Sequence, residues 1–159
     1  MIDQIISQGK EFLSGKLKET VGFDESQIDT ALNTAKDSTV DTLKDEVKGG
    51  NLSGVLDLFN GKSDTSTSNP IVGGMANNLI SGLVSKLGIG KDMASKATDM
   101  IIPFIMSKFS SKDTGQAKDG SELMDMLGGG GLKDALGGLL GGDKGGKDEG
   151  MLGKLGKFF

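Results

Sequence analysis

Apolar residues recur every three or four positions through most of the first 110 residues, with polar residues between them. Over 2–21, Ile2, Ile5, Ile6, Phe12, Leu13, Leu17 and Val21 form one stripe, with Lys10, Glu11, Lys18 and Glu19 mostly opposite. This predicts an amphipathic helix, weakened by Gly9 and Gly15 and stopped by Gly22. A second helix is expected after Asp24 or Ser26, either of which can cap it. Its apolar positions are Ile28, Ala31, Leu32, Ala35, Leu43 and Val47, and Gly49-Gly50 ends it. Glu25 and Asp29 in its first turn suit the positive end of the helix dipole. A short third helix is predicted from about Leu52 to Phe59, closing at Asn60-Gly61. The stretch 61–70, GKSDTSTSNP, reads as a linker.

The same order then returns. Residues 71–87 predict an amphipathic helix, Gly88-Ile89-Gly90 breaks it, and a helix from about Asp92 to Phe109 follows. That helix is apolar nearly all round between Met100 and Met106 and is expected at the centre of the core. Pro103 within it removes a hydrogen bond to Asp99, which predicts a kink. A further short helix is expected from Ser121 to Leu127, before four glycines. Leu13-Ser14-Gly15 matches Ile80-Ser81-Gly82, Val21-Gly22-Phe23 matches Leu87-Gly88-Ile89, and VLDLFNG at 55–61 matches LMDMLGG at 123–129. A reduced copy, LKDALGG, follows at 132–138. The expected organisation is therefore all-α and duplicated: a first repeat over 1–61, a linker over 62–70, a second repeat over 71–129, and a glycine-rich tail over 130–159.

The segments SNPIV (68–72), LGIGKDMASKATDMIIPFIMSKF (87–109) and LMDMLGG (123–129) resemble the YidB-like bacterial family of unknown function. The similarity covers mainly 68–129 and, more weakly, 13–61. It implies a small all-α fold with a homeodomain-like helix arrangement, and it implies no activity, cofactor or catalytic residue. The long glycine tail and the duplication depart from the family pattern.

Composition narrows the chemistry. The chain has 159 residues, and all 18 basic residues are lysine; histidine, cysteine, arginine, tryptophan and tyrosine are absent. This removes imidazole bases, thiolate nucleophiles, His/Cys zinc sites and bidentate arginine clamps. The phosphate-loop pattern fails, because the residue six before Lys62-Ser63 is Leu56. Asp143, Asp148 and Glu149 lack the spacing of a calcium loop. Asp57, Asp125 and Asp134 read as the polar faces of short helices, without a partner base nearby in sequence. The expected protein is not an enzyme and holds no cofactor, metal or evident small-molecule substrate. A net charge of −4 and the lack of arginine also argue against nucleic-acid binding.

Apolar surfaces remain as the means of recognition, so the expected role is protein–protein interaction or self-assembly through helix faces. The candidate contact residues are Met124 and Met126, together with Met151, Leu152, Lys154, Leu155, Lys157, Phe158 and Phe159 of the closing MLGKLGKFF. On a helical wheel the apolar members of that last group fall within roughly a 120° arc, with the lysines to one side. The alternative role is therefore a peripheral membrane binder using 150–159. Thirteen of the 29 residues from 128 to 156 are glycine, so the tail pieces are expected to be frayed when free. The start of the chain has no basic segment or apolar core of a secretory signal, and no apolar run approaches the roughly 20 residues of a membrane span. The expected location is cytoplasmic.

Overall fold

The computed structural model describes residues 2–110. Among these residues there are five α-helices and no strand: α1 (Ile2–Val21), α2 (Glu25–Lys48), α3 (Leu52–Phe59), α4 (Pro70–Leu87) and α5 (Lys91–Phe109). The helix expected over 121–127 and the glycine-rich tail lie outside the described residues.

Local chemistry sets the helix ends. The Asp24 carboxylate accepts from the Gln27 N–H at 2.8 Å, and the Gln27 side-chain oxygen accepts from the Asp24 N–H at 3.0 Å. This capping box satisfies two N–H groups that the helix leaves without partners. Gly22 and Gly88 take φ of 76° and 63°, which L side chains adopt only with strain, and they end α1 and α4. Helix α4 starts at Pro70, one residue earlier than the sequence pattern suggests. Asn69 accepts from the Ile71 N–H at 2.9 Å, and Pro70, which lacks an N–H, fits the first helical position.

The four long helices pack in a closed ring: α1 on α2, α2 on α4, α4 on α5 and α5 on α1. Helix α2 also meets α5 across the centre, and the short α3 packs on α2. Phe59 of α3 meets Phe109 of α5 edge-on, with ring centres 4.8 Å apart. Leu17, Leu43, Met75, Leu79, Leu83, Ile101, Ile102 and Ile105 are among the fully buried side chains. This ring corrects the expectation for α5. Ile101, Ile102, Ile105 and Met106 are buried, but Met100 and Phe104 are half-buried and Pro103 is exposed. A helix in such a ring always keeps one side outward. Helix α5 runs unbroken through Pro103, whose ring and the Asp99 it fails to bond lie among exposed residues.

The two seams of α2 are built differently. Against α1 it is ionic: Lys10 pairs with Asp29 at 2.8 Å, Lys18 with Glu25 at 3.5 Å, and Lys36 with Asp3. The order of these pairs shows that the two helices run antiparallel. Against α4 a single ion pair, Lys86 with Asp37 at 3.6 Å, borders a seam of small residues and threonines. A Cβ on Gly82 would lie 2.5 Å from the Thr34 methyl, and one on Gly74 would lie 3.4 Å from that of Thr42. Asn78, between these glycines, donates to the Thr42 hydroxyl at 2.9 Å. The buried Thr34 satisfies its own hydroxyl by donating to the Thr30 carbonyl at 2.7 Å.

Two measurements check these seams. Gly82→Ala forces α4 away from Thr34 and should lower thermal stability by about 1–3 kcal/mol, the range for overpacking. The Lys36 ammonium holds the Asp3 carboxyl below its ordinary value by hydrogen bond and charge. A carboxyl that titrates lower when folded contributes its stability above the unfolded value of 3.8 and loses it as pH falls through the folded one. The difference in melting temperature between the native chain and Lys36→Met should therefore be present at pH 6 and shrink progressively in acid.

Candidate functional site

On an outward seam of the ring, α1 and α5 present two aromatic rings to solvent. Phe104 reaches across from α5 because Gly9 lies beneath it; a Cβ on Gly9 would stand 3.2 Å from the ring. Phe12, one turn along α1, stacks on Phe104 with centroids 5.8 Å apart and ring planes 22° from parallel. Lys16 lies over the Phe12 ring at 5.2 Å and Lys108 over the Phe104 ring at 5.8 Å, each cation facing the negative π-surface. Gln8, Glu11, Phe12, Phe104 and Lys108 line a shallow cleft of about 290 Å³. A second shallow depression, on the same helix, is lined by Asp3, Gln4, Ser7 and Gln8.

Phe12 is 63% exposed. The apolar stripe of the sequence placed it inside, and the structure corrects this. The residues of α1 that face the core are Ile2, Ile5, Gly9, Leu13, Leu17 and Val21, spaced by three and four, and glycine occupies the position that a large side chain would normally fill. Phe12 falls off that stripe. Ile6, also assigned to the stripe, is half-buried. The signal was present in the sequence: Gly9 sits four residues from both Ile5 and Leu13.

Gly15 is a second feature of the same helix face. It lies in the interior of α1, it is exposed, and a Cβ placed on it would meet no atom within 4 Å. Nothing inside the described residues calls for glycine there.

The interior offers little for acid–base chemistry. Among the described residues the buried polar side chains are Thr34, Ser38, Thr39, Thr42 and Thr98, none of which titrates near neutral pH. The Thr39 and Thr98 hydroxyls have no hydrogen-bond partner. Among the described residues no three acidic side chains gather where they could hold a metal ion, and no helix is long and apolar enough to cross a membrane. Met124, Met126, Met151, Leu152, Lys154, Leu155, Lys157, Phe158 and Phe159, the contact residues expected from the sequence, all lie outside the described residues. Comparison with known protein families, curated proteins and solved structures finds no match to the chain.

Phe12 and Gly15 should be dispensable for the fold. Phe12→Ser gives up a ring stack at the surface and is expected to cost no more than about 1.5 kcal/mol, the range for an aromatic pair. Gly15→Ala should raise it by about 1 kcal/mol, since alanine is the better helix former and meets no obstacle. Chemical denaturation of the two variants beside the native chain checks both signs.

Proposed function

We propose that this is a non-catalytic helical protein that acts by protein–protein interaction or self-assembly through an apolar helix face. The observation that carries this reading is the exposed Phe12, stacked on Phe104 at the α1–α5 seam. An exposed aromatic side chain adds little to the fold and is costly to leave in water. On a contact surface, aromatic side chains are the residues that supply most of the binding energy. The Lys16 and Lys108 ammonium groups lie over the two rings, so the patch is amphipathic and combines charge with apolar surface.

The rest of the reading agrees with this assignment. The absence of histidine, cysteine and arginine from the sequence leaves few groups for catalysis. The buried polar groups in the described core are hydroxyls alone. Within this proposal α1–α2 and α4–α5 are the two helical hairpins of a duplicated three-helix unit, of YidB-like, homeodomain-like arrangement. Each hairpin turns at a glycine with positive φ, Gly22 in the first and Gly88 in the second. The protein is proposed to work in the cytoplasm, with no nucleic acid or small-molecule substrate. A second reading, a peripheral binder of membrane surfaces, rests on the apolar arc and the lysines of 150–159.

Sedimentation of the full chain, with and without anionic vesicles, separates the two readings. The interaction reading predicts lipid-independent association that survives 0.5 M salt and is lost in Phe12→Asp. Flotation with vesicles that is lost at high salt and in a Leu155→Asp, Phe158→Asp chain, with Phe12→Asp floating like the native protein, would contradict it and establish the membrane reading.

A further inference from the structure

The geometry points to a second copy of this chain as the occupant of the α1 face, packed antiparallel so that Phe12 of each copy sits over Gly15 of the other. This deepens the contact-surface reading above and rests on it. Four exposed residues of α1, Gln8, Phe12, Gly15 and Glu19, fall within about a 60° arc of the helix. That strip contains a projecting ring and, one turn away, a glycine beside open space. A knob and a notch on one strip are self-complementary when two copies meet about a two-fold axis, because each supplies what the other lacks.

The polar residues agree with the same register. With Phe12 opposite Gly15, the Gln8 amide comes opposite the Glu19 carboxylate of the second copy, a donor against an acceptor. Along one flank of the strip Glu11 and Lys18 of the second copy lie on the same side and about 3 Å from level along the axis, within reach of a pairing of opposite charge that the two-fold repeats. Lys18 already reaches Glu25 of its own chain at 3.5 Å, which leaves it exposed at the rim and shared between two carboxylates. The exposed glycine is then explained by the contact: it lowers the helix propensity of α1, is unused among the described residues, and admits a ring from outside. A single-helix contact buries little surface, so the dimer is a weak one that forms with rising concentration.

Light scattering and sedimentation of the full chain, from about 10 μM to about 1 mM, provide the test. The mass of the native protein should rise toward that of a dimer across this range. Gly15→Gln fills the notch with a good helix former; it should weaken dimerisation by about ten-fold or more while the melting temperature stays equal or rises. That retained stability separates a blocked contact from a misfolded chain. The sequence has no cysteine, so an equimolar mixture of Q8C and E19C chains reports register directly, and the mixed disulfide should well exceed the half of all crosslinks that random pairing gives. A native chain that stays monomeric throughout, a Gly15→Gln chain that dimerises like the native one, or mixed disulfide at or below half of all crosslinks would each overturn the antiparallel pairing. In the second case, loss of association in Phe12→Asp would leave the contact surface standing, and its persistence there would remove that reading as well.

Discussion

Close approach of helices at positions without a side chain is the constraint on which this structure depends. At Gly82 the α4 backbone comes so near α2 that even a methyl group would overlap Thr34. At Gly9 the same device works across the ring, where α1 gives up a side chain so that the Phe104 ring can lie over its backbone. Interiors are packed to crystal density, so each such omission must be matched by a projecting group on the neighbour. The matches here are a threonine methyl and a phenylalanine ring. The aromatic pair at the surface follows from the second match. Phe104 can lean outward to meet Phe12 because Gly9 leaves it room.

The division of labour between the seams follows the same logic. Helices α1 and α2 are joined by ion pairs at the surface, which contribute little each and depend on salt and pH. The α2–α4 seam adds shape to one ion pair, Lys86 with Asp37: Gly74 and Gly82 face the Thr42 and Thr34 methyls, and Asn78 bonds to the Thr42 hydroxyl. The inner side of α4 therefore has no room for larger side chains, while the outer side of α1 has. Residues Phe12 and Gly15 sit on that outer side, and neither is needed by the packing beneath it.

Much of the fold could be read from the chain because its punctuation is local. Gly22, Asp24, Gly49-Gly50 and Asn60-Gly61 mark helix ends through backbone conformation and capping, which need only neighbouring residues. The exposed aromatic pair was not legible in this way. A periodic reading ranks large apolar residues as core, so it took Phe12 inward and treated Gly9 as a weakness of the helix. The decision between the two was made by Phe104, more than 90 residues further along, and by a helix pairing that the pattern of α1 alone does not contain. The burial of the 100–106 run was over-read for a related reason: an apolar run reads as buried all round, whereas a ring of four helices gives each of them a wet side. The contact residues expected near the C-terminus lie outside the described residues.

The central proposal is that the outer face of α1 receives a second copy of this chain. Backbone amide chemical shifts of the full chain, followed on dilution by two-dimensional NMR, test this most directly. The account predicts changes confined to the strip of Gln8, Phe12, Gly15 and Glu19 and to the adjoining Phe104 turn. Changes centred on α4, around the half-exposed Val84, or no change at any concentration, would contradict it.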